Sequence, residues 1–222
     1  MAISLTNAQT SSGSGTAITV TKPTGGSPGD LLLIIINHND ELKTIADNNG
    51  STPCTQQIDI NGALGSGGLA VWYRFVGASE PASYAFTFSG SDRWTIVACI
   101  LHNAHSTKPF DVNPADGSDE AASTTPTCPG VTTLTNFAWA IAAAGTDGTG
   151  NGGTFTAGPT GYTEIGTVNV QQPLSVFYKE IPVASATGDQ DFTITTAGGG
   201  VSYTLSIFAI PPSLQGAMFR VL

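Results

Sequence analysis

The stretch Leu31-Leu32-Leu33-Ile34-Ile35-Ile36 is an uninterrupted apolar run. Its length is that of a β-strand and only about a third of what a membrane-spanning helix needs. A strand with one solvated face alternates apolar and polar residues, whereas a strand covered on both faces is apolar throughout. The run therefore predicts a central β-strand that is buried on both sides.

The chain repeats this strand and its neighbours after an offset of roughly 106 residues. Leu31–Ile36 corresponds to Phe137–Ala142, and Val71-Trp72-Tyr73-Arg74 corresponds to Val176-Phe177-Tyr178-Lys179. Such a repeat is typical of a duplicated scaffold, because both copies must bury the same faces. A catalytic site rarely produces it, because chemistry needs different residues at different positions.

Strand patterns separated by Gly, Pro, Ser and Asp clusters account for most of the chain, and helical periodicity is almost absent. Further strands are predicted at Ala17–Thr21, Leu69–Val76, Tyr84–Phe88, Trp94–Leu101, Phe137–Ala143, Leu174–Ile181, Asp191–Thr195 and Val201–Ile210, with a weaker segment near Ala122–Thr127. We therefore predict an all-β fold, a jelly-roll-like antiparallel β-sandwich of about ten strands formed by two pseudo-repeated halves. Because each half has too few strands to enclose a core, we expect one sandwich over residues 16–210, with halves at 16–110 and 122–210.

Two long loops and two terminal arms surround the predicted sandwich. The loops Asn37–Gly68 and Gly145–Pro173 correspond in the repeat, and loops of this length are usually functional or ordered by a partner. Residues 1–15 are rich in Ser, Gly and Thr and predict a flexible N-terminal arm. Residues 211–222 predict an apolar C-terminal arm, which either folds back onto the sandwich or docks onto another subunit. Its predicted interface residues are Leu214, Met218, Phe219, Val221 and Leu222.

Charge and composition argue against several classes of partner. Only 10% of the residues are charged, and the formal net charge is −9. Nucleic acid is a poor partner, because phosphate binding relies on Lys and Arg. The start of the chain lacks the basic and apolar segments of a signal peptide, and no membrane segment is predicted. We therefore expect a soluble protein that folds in a cytoplasm.

The three cysteines lack the spacing of a metal site. Cys99 alternates with apolar neighbours inside a predicted strand and is expected in the core. Cys54 and Cys128 each lie beside a proline, and a disulfide between them is compatible with the sequence. Reduced thiols are the favoured prediction, because no export signal is present.

Two groups of residues have metal-binding side chains without metal-binding spacing. His38-Asn39 and His102-Asn103 each follow a strand, and the two imidazoles would meet if those strand ends are adjacent, with Asp40 or Asp111 as a third ligand. An acidic crossover offers oxygen ligands of the kind that calcium prefers, at Asp111, Asn113, Asp116 and Asp119. The spacing does not fit an EF-hand loop, and Pro114 interrupts it. We predict polar residues at strand ends in the first case and a solvated acidic loop in the second, with no metal and no cofactor.

Motifs of enzymatic chemistry are missing from the sequence. There is no GxSxG nucleophile elbow, HExxH metal motif, phosphate-binding loop or GxGxxG motif before a helix. A Ser-His-Asp set has no predictive weight in a chain with so many serines. The glutamates do not form an evident carboxylate pair for glycoside hydrolysis. We predict that the protein is not an enzyme.

The segments that carry the repeat also carry a resemblance. Thr19-Val20-Thr21-Lys22-Pro23 leads into Gly29-Asp30-Leu31-Leu32-Leu33-Ile34, and Val71–Arg74 is followed by Ala78–Phe88 and Trp94–Ala98. This pattern resembles β-sandwich modules of bacteriophage virion proteins, which occur in tail fibres, tail-associated proteins and head-decoration proteins. The resemblance covers residues 16–111 and extends to the second half only through the internal repeat.

The resemblance implies a virion protein without identifying any single functional residue. Because the chain lacks fibre-shaft repeats, we expect a capsid decoration (cement) protein that binds the major capsid protein and forms a homotrimer. It would assemble in the host cytoplasm and reside in the virion. The alternative is a tail-fibre or receptor-binding module whose long loops hold a host surface glycan. A carbohydrate-active enzyme on a jelly roll is a third interpretation.

Overall fold

The computed structural model describes residues 2–40, 43–61, 67–112, 120–121, 123–146, 153–195 and 202–212. Their regular structure is entirely β, and all of the strand pairs are antiparallel. The prediction of an all-β antiparallel sandwich is therefore confirmed. Within these residues no helix has the length and apolar character needed to span a membrane.

Each half of the chain builds one large sheet and an outer layer. The first half contains β1 (Ser4–Thr21), β2 (Leu31–His38), β3 (Ile45–Asp47), β4 (Thr55–Asn61), β5 (Gly68–Phe75) and β6 (Ser83–His102). The second half contains β7 (Glu120–Ala121), β8 (Thr127–Cys128), β9 (Ala138–Thr146), β10 (Phe155–Ala157), β11 (Thr163–Val168), β12 (Leu174–Ile181), β13 (Gln190–Asp191), β14 (Thr193–Ile194) and β15 (Ser202–Ile210).

The two halves share one topology. The large sheets have the orders β1-β6-β2-β5-β4 and β7-β15-β9-β12-β11, in which β2 corresponds to β9 and β5 to β12. In the first half β3 pairs with the beginning of β6, and in the second half β10 pairs with β14 in the same way. The sequence repeat is thus a repeat of the fold.

Three hydrophobic clusters result, one between the halves and one inside each half. Leu31, Leu33 and Ile35 of β2 join Trp139 and Ile141 of β9 in the shared cluster. The alternate residues of β2 face the outer layer of the first half. There Leu32, Ile34 and Ile36 join Tyr84, Phe86 and Phe88 in a second cluster. A third cluster around Cys128, Phe155 and Phe192 fills the second half. β2 is therefore buried on both faces, as its composition predicts.

This layering corrects the expectation that neither half can enclose a core of its own. β1 and β6 are long enough to serve in both the large sheet and the outer layer. Their pairing jumps between Gly15↔Asp92 and Ala17↔Thr87, where β6 contributes several residues that have no partner in β1. Irregularities of this kind bend strands. The bend places the beginning of β6 and the end of β1 over the outer face of their own sheet.

The repeated aromatic motif shows the same double burial. Trp72 packs in the cluster of the first half and Phe177 against that of the second, whereas Tyr73 and Tyr178 both pack against the shared cluster. Successive side chains of a strand point to opposite faces. Both faces are covered in each half, so both aromatic residues of the motif contact a core.

The predicted N-terminal arm and the predicted long loops also differ from the structure. Residues 4–15 are the first part of β1, paired with Asp92–His102, so the arm predicted over residues 1–15 is wrong. The loop Asn37–Gly68 contains β3 and β4, and Gly145–Pro173 contains β10 and β11. The described residues form fifteen strands, compared with the roughly ten that were predicted. Polar edge strands resemble loops in sequence, because they have no apolar face to show.

The cysteines are all free and buried, in agreement with the prediction of reduced thiols. Burial raises the pKa of Cys54 and of Cys99 to about 12, from an ordinary value of 9.0. We therefore expect almost no reaction with Ellman's reagent in the native protein at pH 8, and complete reaction of the three thiols after unfolding in guanidinium. Rapid labelling of a native thiol would contradict this burial.

The same pKa shifts predict how the thiols affect stability at high pH. A folded-state pKa above the unfolded one means that the contribution is fully present below about pH 9. It is then lost progressively as the pH rises toward 12.

Candidate interaction surface

Four large apolar side chains are more than half exposed in the described part of the chain, and three of them lie together. Leu134 is 70% exposed and Phe137 is 51% exposed in the loop before β9, and Val183 is 68% exposed just after β12. The fourth, Val170, lies between β11 and β12. We call Leu134, Phe137 and Val183 the apolar end surface.

Hydrogen bonds hold the two loops of this surface side by side. The Thr133 amide donates to the Ser185 carbonyl at 3.0 Å, and the Ser185 amide donates to Thr133 Oγ1 at 3.0 Å. The Ala184 amide donates to Asn136 Oδ1 at 2.9 Å. Both loops are therefore fixed at the same end of the large sheet.

Asp111 orients the loop that carries Leu134. Its Oδ2 accepts hydrogen bonds from the amides of Leu134 at 2.6 Å and of Thr135 at 3.0 Å. The carboxylate considered as a calcium ligand thus has a structural role in this loop. Its predicted companions Asn113, Asp116 and Asp119 lie outside the described residues, and the described residues contain no group of three or more metal-binding side chains.

Phe137 presents its side chain from a strained backbone. Its φ of 60° lies in the left-handed region, which is rare for an aromatic residue and costs on the order of 1–3 kcal/mol. Such strain persists only where the surrounding structure imposes it, and it concentrates at functional sites. Here the next residue, Ala138, begins the buried strand β9 and pairs with Ile181.

The last described residues, at the end of β15, lie beside the apolar end surface. Ile210 of β15 pairs with Trp139, two residues after Phe137. Pro212 then forms a bridge with Ala104, and the Pro211 carbonyl accepts the His105 amide at 2.9 Å. The predicted interface residues of the C-terminal arm, Leu214, Met218, Phe219, Val221 and Leu222, lie outside the described residues.

The histidines do not form the pair considered from the sequence. His38 is opposite Trp94 at one end of the β2–β6 ladder, and Leu31 is opposite Leu101 at the other end, next to His102. Eight residues of β6 separate the two positions, which corresponds to roughly 26 Å. A metal site shared by His38 and His102 is therefore excluded.

His38 and His102 instead each lie next to a different carboxylate. His38 is fully buried, with Nδ1 3.5 Å from Asp92 Oδ2. His102 Nδ1 is 2.8 Å from Asp30 Oδ2, and its Nε2 is hydrogen-bonded to Thr6 Oγ1. The sequence prediction missed Thr6 because it placed this residue in a flexible arm. The contact between Asp30 and His102 could have been predicted if the two strands were assumed to pair antiparallel. Asp30 directly precedes one predicted strand and His102 directly follows the other.

A small cleft opens in the second half, between the segment predicted as a long loop and β12. Its volume is about 220 Å³, and its lining includes Phe155, Glu164, Thr167, Ser175 and Phe177. Thr167 Oγ1 and Ser175 Oγ are hydrogen-bonded at 2.7 Å. Aromatic rings, hydroxyl groups and one carboxylate are side chains that suit a small polar ligand such as a sugar.

No protein-family model matches the chain, and comparison with curated proteins finds no similar sequence.

Proposed function

We propose that this protein is a structural component of a bacteriophage virion, a decoration (cement) protein that binds the outer capsid surface and bridges capsid subunits. The observation that carries the proposal is the apolar end surface, which lies beside the end of β15. The apolar sequence of residues 213–222 follows this strand in the chain. The resemblance of residues 16–111 to phage β-sandwich modules supplies the setting. The expected partners are the major capsid protein and two further copies of this chain.

The apolar end surface would be stabilised by a partner that covers it. Grouped exposed apolar side chains mark protein–protein contacts, because burying them removes apolar area from water. Charged side chains are depleted at the centres of interfaces, and only 10% of this chain is charged. A rigid scaffold with a preordered Phe137 also reduces the entropy lost on binding.

A second candidate function rests on the cleft between Phe155 and Phe177. In this alternative the chain is a tail-fibre or receptor-binding module, and the cleft holds part of a host surface glycan. The two functions differ in copy number. A decoration protein is as abundant as the capsid subunits it binds, whereas a fibre module is present in few copies.

The test is quantitative proteomics of purified particles of the phage that encodes the chain, combined with binding of the purified protein to undecorated capsids. We expect copy numbers comparable to those of the capsid protein. Leu134→Ser combined with Val183→Ser should weaken capsid binding by roughly a hundredfold, because two apolar contacts are lost. Deletion of residues 216–222 should also weaken binding and leave the sandwich folded.

Val170→Ser is the matched control, because Val170 is 57% exposed but lies outside the apolar end surface. It should bind capsids as the unchanged protein does. Absence from particles, or a location only at the tail, would contradict the decoration role. Unfolding of the truncated chain would show that the tail belongs to the core.

A further inference from the structure

Thr6, His102 and Asp30 form a hydrogen-bonded chain at the end of the first large sheet. Thr6 Oγ1 is hydrogen-bonded to His102 Nε2, and His102 Nδ1 lies 2.8 Å from Asp30 Oδ2. The Ser27 amide donates to the same Asp30 oxygen at 2.8 Å. Hydroxyl, imidazole and carboxylate thus follow one another in the order of a nucleophile, its general base and the group that orients the base.

The fold positions these side chains from three strand ends. His102 is the last residue of β6, and Asp30 directly precedes the neighbouring strand β2. Thr6 lies in a bulge of β1, because the pairing shifts by one residue between Leu5 and Ala8. Bulges redirect side chains and are frequent beside active sites.

Solvent exposure decreases along this hydrogen-bonded series, from the Thr6 hydroxyl to the Asp30 carboxylate. Thr6 is exposed, the His102 side chain is 22% exposed and the Asp30 side chain is 13% exposed. A substrate can therefore reach the hydroxyl from solvent, while the carboxylate is largely shielded by protein. Nucleophilic chemistry needs an accessible hydroxyl and a shielded carboxylate to orient the base, and this site has both.

We propose that Thr6 is a nucleophile, activated by His102, which accepts the acyl group of small uncharged carboxylic esters. Because the site is open to solvent, the alcohol part of the ester can extend away from the protein. The expected substrate is therefore a small acyl group esterified to a larger alcohol. The net charge of −9 disfavours anionic esters. This activity is independent of capsid binding, and each can fail without the other.

The reaction balances without a metal or a redox partner. Thr6 Oγ1 attacks the ester carbonyl carbon, and its proton moves to His102 Nε2. The tetrahedral intermediate collapses, the C–O bond to the alcohol breaks, and His102 returns the proton to the leaving alcohol. Water then attacks the acylated Thr6, with His102 again accepting and returning a proton, and releases the carboxylic acid.

The second step should be slow. Asn7, next to Thr6, donates its Nδ2 to Thr24 Oγ1 at 2.6 Å and is thus committed elsewhere. A positioned donor to the oxyanion typically contributes about 10²–10³ in rate. The lack of such a donor slows acylation and deacylation alike. With an activated aryl ester acylation is still the faster step, because a phenolate leaves more readily than the Thr6 alkoxide, so acyl-Thr6 accumulates.

The test uses the full chain with p-nitrophenyl acetate, followed by stopped-flow absorbance and peptide mass spectrometry. We expect a burst of one p-nitrophenolate per chain and an acetyl group on the peptide that contains Thr6. Thr6→Val should abolish the burst, Thr6→Ser should keep it, and Asp30→Asn or His102→Gln should slow it by about 10²-fold or more. Thr10→Val, at another exposed threonine of β1, is the control and should leave it unchanged.

Two results would overturn the proposal. One is an acetyl group found on His102 or on lysines but not on Thr6. The other is equal acetylation of Thr6 in the native protein and in guanidinium, since an activated hydroxyl requires the folded arrangement. Circular dichroism of each variant separates loss of reactivity from loss of the fold, and Thr6→Ser with Thr6→Val compares the presence and absence of the hydroxyl while His102 and Asp30 are kept.

Discussion

Glu80→Ala is expected to lower the free energy of unfolding by about 3–5 kcal/mol, because it leaves a buried cation without its partner. Glu80 Oε1 accepts a hydrogen bond from Arg74 Nη2 at 2.9 Å, and Oε2 accepts one from the Tyr84 hydroxyl at 2.7 Å. The side chains of Arg74 and Glu80 are only 13% and 2% exposed. Burial and the bond to Glu80 also raise the pKa of Tyr84 above its usual range, so its hydroxyl remains a donor.

Urea denaturation at neutral pH measures this effect, and two variants calibrate it. Glu80→Gln keeps an acceptor without the charge, so its loss should be smaller than that of Glu80→Ala. Lys43→Ala removes an exposed ion pair with Asp40, in which the side chains are 30% and 36% exposed, and should cost less than about 1 kcal/mol. Equal losses for Glu80→Ala and Lys43→Ala would show that the buried pair contributes no more than a surface pair.

Asn37→Ala is expected to destabilise the protein by about 2–3 kcal/mol, through the contact between the halves. Asn37 is 1% exposed, and its Nδ2 donates to the carbonyls of Thr146 at 2.9 Å and Pro173 at 2.8 Å. These bonds join β2 of the first half to the end of β9 and the start of β12. Without the amide, the buried Thr146 carbonyl loses a donor, whereas Pro173 still accepts the Thr146 amide at 3.0 Å.

Gly145 makes room for this amide, and a double-mutant cycle tests the fit. A Cβ on Gly145 would lie less than 3.0 Å from the side-chain atoms of Asn37, so Gly145→Ala should also destabilise. In the Asn37→Ala background the clash is absent, and the same change should cost at least about 1 kcal/mol less. Gly90→Ala, which meets only the flexible Lys43 side chain, is the matched control. Strict additivity of the two changes would contradict the fit.

Local patterns predicted the features that depend on burial. The unbroken run Leu31–Ile36 predicted double burial, and the matched motifs at Val71 and Val176 predicted two corresponding strands. Both inferences succeed because side-chain alternation and apolar content act along the chain itself. The number of layers was not predictable in this way, because it depends on where β1 and β6 bend.

The candidate sites were predicted less well, and for different reasons. Thr6 lies in a polar strand that is held in place by backbone pairing with β6. The side-chain types of this strand do not reveal the pairing, so the sequence alone does not predict it. The exposure of Leu134 and Val183 depends on what the fold leaves uncovered. The left-handed backbone of Phe137 is imposed by its surroundings and is unusual for its residue type.

The sequence by itself determined that the protein is all-β, duplicated, poor in charge and built around strands buried on both faces. These properties follow from composition and periodicity, which each segment carries locally. Only the tertiary structure decided that Thr6, Asp30 and His102 meet, that Asn37 joins the halves, and that Leu134, Phe137 and Val183 share one surface. Each of these groupings joins residues far apart in the chain, so it depends on strand register and sheet packing, and a shift of one residue in a register would turn the side chains to the opposite face.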